Sequence, residues 1–103
     1  TFGPLEVQAG APRLQLAQNG PNPFAARTTI RFGLPVSGPV ALRVFDLGGA
    51  LVRTLLDGPA DAGPGEVTWD GRDAGGAPVP TGVYFYRLTT PHGSETRKMI
   101  VQR

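Results

Sequence analysis

The chain has 103 residues, ten of them basic and eight acidic, and its formal net charge is +2 at neutral pH. This length corresponds to one domain, large enough to bury a core of its own. The basic residues are scattered, and only Arg97 and Lys98 are adjacent. Nucleic-acid binding needs a concentrated basic patch, so no nucleic-acid partner is expected. The absence of cysteine excludes disulfides, thiolate catalysis and cysteine-based metal sites.

Glycine and proline are frequent, with 15 and 11 residues. Because hydrophobic residues alternate between them, we interpret the glycines and prolines as turns between many short strands rather than as disorder. No apolar run approaches the length of a membrane span, so none is expected. The chain begins at Thr1 without a signal peptide, and we expect it to be a processed or excised piece.

The first twelve residues, TFGPLEVQAGAP, combine turn formers with a short apolar pair, Leu5 and Val7. Two interpretations stay open. The segment is either an interdomain linker or an arm that adds a strand to a sheet edge, its own or a neighbouring molecule's. We therefore divide the chain into residues 1–12, a linker or strand-donating arm, and residues 13–103, the folded domain.

The elements of the first half follow in chain order. Residues 14–16 alternate and predict a first strand, and the Asn, Gly and Pro residues at 19–23 predict a turn. Phe24 is expected to cover one end of the core. Residues 28–34 predict a clear strand. Its inward face carries Ile30, Phe32 and Leu34.

The middle of the chain predicts a hairpin. Residues 40–47 and 51–56 are its two strands, but apolar residues occur on both faces, so the register stays open. Glycine and proline at 57–65 predict a turn. Residues 66–70 then alternate, with Val67 and Trp69 directed inward.

The last part predicts a long aromatic strand over residues 83–89, a loop at 91–93 and a final strand over 95–102. No segment has the apolar period of a helix. About seven strands with turns every 8–12 residues match an all-β, two-sheet antiparallel sandwich of immunoglobulin-like type. A closed β-barrel is the alternative.

Acidic residues suggest one metal hypothesis. Asp70 and Asp73, with other aspartates elsewhere, raise the possibility of calcium, which needs six to eight oxygen ligands. The alternating acids of an EF-hand loop are missing. Aspartates commonly accept backbone N–H bonds in turns, and this is the interpretation that we favour. No metal and no cofactor are expected.

Catalytic groups are sparse. His92 is the only histidine, it lies in a loop, and Ser94 is too close along the chain to form a triad with it. No pair of carboxylates stands out as a glycosidase site. We therefore expect that the protein is not an enzyme.

The aromatic residues have two interpretations. Trp69, Tyr84, Phe85 and Tyr86 could form a carbohydrate-binding platform, which we treat as the weaker alternative to core packing. Tyr84 lies near a strand start, where a tyrosine corner would bond its hydroxyl to upstream backbone. Gly82 is expected to supply a conformation that a side chain would forbid.

Several motifs occur in a characteristic order. They are NPF at 22–24, TTIRFGLP at 28–35, VFDLGG at 44–49 with VRTL at 52–55, WDGRD at 69–73, PTGVYFYRL at 80–88 and KMIVQR at 98–103. Over about residues 14–103 this order resembles the C-terminal sorting domains of the bacterial type IX secretion system. It equally resembles the immunoglobulin-like domain of flagellar hook-capping proteins.

The resemblance implies a seven-stranded sandwich outside the cell or on its outer surface. It also implies that secretion or attachment machinery reads the end of the domain, with Gly82, Tyr84, Lys98 and Arg103 as interaction residues. The leading hypothesis is a non-catalytic secretion and surface-attachment module. The alternative is a subunit of a self-assembling extracellular filament or sheath, whose arm with Leu5 and Val7 completes the sheet of another copy.

Overall fold

A computed structural model describes residues 13–103, so the expectations for Leu5, Val7 and the rest of residues 1–12 lie outside the described residues. The domain is a sandwich of seven β-strands. They are β1 (Gln15–Leu16), β2 (Thr28–Leu34), β3 (Gly38–Asp46), β4 (Leu51–Ala60), β5 (Gly63–Trp69), β6 (Gly82–Thr90) and β7 (Gly93–Val101).

The strands form two antiparallel sheets. One has three strands in the order β1-β2-β5, and the other has four in the order β4-β3-β6-β7. Both sheets end in edge strands, so the architecture is the predicted sandwich and not a closed barrel. The all-β, immunoglobulin-like expectation is confirmed.

The predicted alternation forms the core. In β2 the inward residues Ile30, Phe32 and Leu34 are buried, as expected for a strand with one face on the core. Trp69, at the end of β5, is fully buried, and Phe24 is buried against it. The prediction that Phe24 covers one end of the core is therefore confirmed.

The turn predicted for residues 57–65 is wrong. Strand β4 continues to Ala60 and β5 begins at Gly63, so only Asp61 and Ala62 separate them. Both strands are sheet edges, where the backbone N–H that proline lacks is not needed for the ladder. Pro59 and Pro64 therefore lie inside strands, although the glycine and proline content of residues 57–65 had predicted a turn.

The β3–β4 hairpin explains why its register could not be predicted. Two irregularities interrupt the pairing, one between Leu42 and Arg43 and one between Val44 and Phe45. A bulge adds a residue to one strand and exchanges the faces of the residues beyond it. A single alternating pattern therefore does not describe β4.

Candidate functional site

The four predicted interaction residues lie on or directly after β6 and β7. Gly82 begins β6, and Arg103 follows β7. The backbone N–H of Arg103 donates to the Thr81 hydroxyl at 3.0 Å, which brings Gly82 and Arg103 to the same end of the sheet. Tyr84 is buried there, whereas Lys98 lies exposed farther along β7. The four residues therefore do not form one continuous surface.

The guanidinium of Arg103 binds three backbone carbonyls, one from the β1–β2 connection and two from the β5–β6 connection. It donates through Nε to Val79, through Nη1 to Ala25 at 3.0 Å and through Nη2 to Gly71. None of the ion pairs among the described residues includes it. We call Arg103 and these carbonyls the terminal clamp. The planar fork of arginine suits such a multi-point contact, so the residue that we predicted for interaction joins two loops of the domain itself, the β1–β2 connection and the β5–β6 connection.

Gly71 is the residue that sequence reasoning missed. It is buried, its φ is +72°, and an added Cβ would lie 2.7 Å from Nη2 of Arg103. Gly82 has no positive φ, and its Cβ would meet nothing nearer than the Tyr84 ring at 3.9 Å. The special conformation predicted for Gly82 is therefore wrong, and Gly71 is the glycine that the site requires. The Asp-Gly pair at 70–71 was its only local signal.

Tyr84 joins the clamp end of the sandwich to the core. Its hydroxyl donates to the Pro80 carbonyl at 2.8 Å, which is the tyrosine-corner contact that the sequence predicted. Its ring packs edge-on against Trp69, with centroids 6.0 Å apart, and Phe24 packs on Trp69 at 5.6 Å. Burial raises the pKa of Tyr84, Asp46 adds to that effect, and the charge of Arg103 opposes it.

Tyr86 fixes the segment that follows β1. Its hydroxyl donates to the Ala17 carbonyl at 2.7 Å and accepts the N–H of Asn19 at 2.8 Å. The buried Asn19 amide in turn donates to the Thr28 hydroxyl at 3.0 Å. Burial raises the pKa of Tyr86, and the bond from Asn19 opposes the shift. Every group in this buried set is therefore engaged with its neighbours, as buried polar groups must be.

Residues 18–24, which we call the 18–24 loop, run along the edge of β7. The Phe24 N–H donates to the Ile100 carbonyl at 3.1 Å, and its carbonyl accepts the Gln102 N–H at 2.8 Å. The Asn22 side chain accepts the Ile100 N–H at 2.9 Å. The NPF motif therefore pairs with the last strand as a short parallel bridge.

The aspartates act within turns. Asp70 accepts the N–H of Arg72 at 3.1 Å, and one oxygen of Asp73 accepts those of Gly75 and Ala77 at 2.9 and 3.0 Å. Among residues 13–103, no group of three or more histidine or acidic residues could hold a metal. The backbone N–H bonds that Asp70 and Asp73 accept confirm the turn interpretation of these aspartates.

The predicted aromatic platform does not form from its expected members. Trp69, Tyr84 and Tyr86 are all buried, so a sugar ring could not stack on them. Phe85 points to the opposite, outer face. There Arg87 lies over the Phe45 ring at 5.4 Å. The buried aromatic residues therefore pack in the core, which was the other interpretation of the sequence.

His92 lies exposed in the turn between β6 and β7, and Ser94 is also exposed. No hydrogen bond joins the two side chains within the described part of the chain. The structure contains no helix, in residues 13–103, that is long and apolar enough to cross a membrane.

Together, the fold and this bonding define an immunoglobulin-like β-sandwich domain whose polar groups hold its own loops together. The FlgD Ig-like domain family matches residues 22–94, and the chain belongs to that family. It is 36% identical over 81 residues to the basal-body rod modification protein FlgD of Salmonella typhimurium. That match covers 76% of this chain and 35% of the relative, so the chain spans about a third of its curated relatives.

Solved structures agree with this assignment. A FlgD from Pseudomonas aeruginosa superposes with a TM-score of 0.57 and 25% identity, covering 87% of this chain and 72% of that one. Dimeric latent PorU from Porphyromonas gingivalis superposes with a TM-score of 0.68 and 26% identity, covering 85% of this chain and 9% of PorU. Domains of this fold therefore occur as parts of longer chains.

Proposed function

We propose that this domain is a non-catalytic structural module of a bacterial assembly outside the cell. The observation that carries the proposal is the terminal clamp. Arg103, the most elaborately bonded charged group at the candidate site, binds three backbone carbonyls of its own domain. A group held in this way stiffens the domain and is not free to act on a substrate.

The relatives support the kind of assembly. The matched family is named for a flagellar protein, and the structure of FlgD from Xanthomonas campestris was described in terms of hook capping essential for flagellar assembly. By analogy, the module would occupy an extracytoplasmic structure and contact other copies of its chain or other components. Its partners would then be proteins, and neither a nucleic acid nor a cofactor is proposed.

A domain exchange tests this proposal. In a Salmonella strain that lacks FlgD, the matching third of the protein is replaced by residues 13–103 of this chain. Restored flagellar assembly, counted by electron microscopy, is the expected result. A matched chimera with Gly71→Ala, which weakens the clamp, should restore fewer flagella. A chimera that is stable and exported but builds none would contradict the proposal.

A second candidate is the secretion and surface-attachment module. The motif order ending in KMIVQR supports it, together with the likeness to a small part of PorU. Met99 and Val101 are buried and Arg103 is clamped, whereas Lys98 is exposed. The export machinery would therefore read Lys98 on the folded domain.

This candidate needs a substitution rather than a truncation, because deleting residues 98–103 would also remove core residues. A cargo fused to the domain should lose surface delivery with Lys98→Glu and keep it with Glu95→Gln, a control on the same strand. Delivery that is equal for the two fusions would exclude the role of Lys98.

A further inference from the structure

The free edge of β7 has two unlike halves. Along the half from Lys98 to Gln102, the 18–24 loop covers the outward backbone groups. The Lys98 carbonyl accepts a bond from Gln18 at 2.7 Å, and both backbone groups of Ile100 are bonded to the loop. This half is closed to any further strand.

The other half, Ser94–Thr96, is open. The β6–β7 register runs without a shift from Gly82 opposite Val101 to Thr90 opposite Gly93. Antiparallel strands direct alternate residues to opposite edges, so Ser94 and Thr96 share the outward orientation that Ile100 shows. Among the described residues, no backbone group bonds to theirs. All of residues 93–98 are exposed.

An open groove lies beside this half. It has a volume of about 530 Å³, and its apolar lining includes Leu14, Pro35 and Val36. Val36 is 48% exposed although it is aliphatic. Strand β1, which contacts β7, has only two residues. A strand placed on the Ser94–Thr96 edge could therefore direct one face of its side chains onto apolar surface.

We propose that this half-edge is an acceptor site for an added β-strand, residues 5–8 of a second copy of the chain. The inference deepens the proposed function and rests on it. Extended segments add to open sheet edges by backbone hydrogen bonds, and their alternate side chains give specificity. The segment LEVQ has that alternation: Leu5 and Val7 share one face, and Glu6 the other.

Charge supports the same occupant. The acceptor half and its continuation carry Arg97 and Lys98, with Glu95 as the one acid between Gly93 and Val101. When Leu5 and Val7 are directed to the groove, Glu6 lies on the opposite face of the added strand. Lys98 lies on that same face of the sheet, on β7. Opposite charges on neighbouring strands stabilise a pair.

The direction of β1 favours a second copy over the same chain. Leu14 lines the groove with Ser94, and the Leu16 carbonyl accepts a bond from Arg97, so β1 runs parallel to the start of β7. Only four residues, 9–12, separate the segment from Arg13, which lines the groove beside His92. To pair with its own edge the segment would have to reverse direction, whereas a second copy imposes no reversal.

The test is the mass of the full chain in solution as a function of concentration. Thr96→Pro removes an outward N–H that the domain itself does not use. Thr96→Ala is the matched control, because both variants lose the contact from Arg87 to the Thr96 hydroxyl. Thr96→Pro should lower the association constant about tenfold or more, the value of one backbone bond, while Thr96→Ala should leave it unchanged.

Mixing identifies the donor. Leu5→Asp damages the donor segment and keeps the edge, and Thr96→Pro does the reverse. At a concentration at which about half of the wild-type chain is associated, each variant alone should be largely monomeric, and the mixture should form a one-to-one dimer that grows no further. If the Thr96→Pro variant folds and associates as strongly as Thr96→Ala, the proposal of an acceptor site is wrong. That result would leave the proposed structural function unaffected, because the domain exchange tests it separately. A wild-type chain that stays monomeric, or a mixture without a dimer, would also overturn it.

Discussion

Nη2 of Arg103 lies 2.7 Å from the point where a Cβ on Gly71 would stand. The two residues are 32 positions apart along the chain, yet the conformation of each depends on the other. Gly71 leaves space for the guanidinium and offers its carbonyl, and Arg103 fills that space. The terminal clamp therefore depends on a missing side chain as much as on a charged one.

Gly71→Ala should destabilise the domain by about 2 kcal/mol, because it combines backbone strain at a positive φ with displacement of the guanidinium. Urea unfolding, followed by the fluorescence of the single tryptophan, gives the change. Gly82→Ala is the control and should stay within about 0.5 kcal/mol of the wild type. Equal effects of the two substitutions would argue against the clamp.

Arg103→Lys should lose about 1–2 kcal/mol of stability although it keeps the charge, because one ammonium cannot replace a fork that reaches three carbonyls. Thermal unfolding measures the loss. The exposed Lys98 supplies the comparison, since Lys98→Ala should cost less than about 0.5 kcal/mol. If lysine at position 103 preserved full stability, charge alone would account for the role of Arg103.

Tyr86→Phe should cost about 1–3 kcal/mol, because it leaves the buried Ala17 carbonyl and Asn19 N–H without their partner. Tyr84→Phe removes one bond, to the exposed Pro80 carbonyl that water can satisfy, and should cost about 0.5–1.5 kcal/mol. The denaturant concentrations at the unfolding midpoints of the two variants show which substitution is more destabilising. A larger loss for Tyr84→Phe would reverse the assignment of Tyr86 as the main link between sheet and loop.

Stability should fall at alkaline pH. Burial raises the pKa of both tyrosines above the ordinary value of 10.0, so the native state holds their protons more tightly than the unfolded chain does. The stabilisation is complete below that ordinary value and is lost as the pH rises through the folded-state pKa. The chain has two tyrosines, so tyrosinate absorbance follows them alone. Tyr86→Phe should reduce the dependence of the unfolding free energy on pH above about pH 9.

Local patterns predicted most of the fold. The alternation of Ile30, Phe32 and Leu34 placed β2, and Trp69 was assigned to the core from its own strand. These signals act between neighbours in sequence, where a period of two is visible. The same local reasoning failed for Pro59, because its environment depends on β4 being a sheet edge, which is a property of the whole topology.

The candidate site was less predictable, for a physical reason. Arg103 meets Gly71, Val79 and Ala25 across 24 to 78 residues of chain. The spacing of residues along the sequence does not indicate contacts between such distant positions. The motif order singled out Arg103 and Gly82, but only the fold shows that one is a structural link and the other an ordinary strand residue. The sequence predicted that an arm could add to a sheet edge, but it could not indicate which edge is open, because the loop that covers half of β7 lies about 80 residues away along the chain.

The pairing of the 18–24 loop with β7 sets an order of events for a chain that emerges amino terminus first, from a ribosome or an export channel. Phe24 has no partner strand until Ile100 and Gln102 are out, so the domain closes only after its last strand has emerged. A nascent chain halted before Lys98 should therefore be digested quickly by protease, and one extended beyond Arg103 slowly. The last strand is thereby the element that completes the sandwich, whichever route the chain follows after its amino terminus.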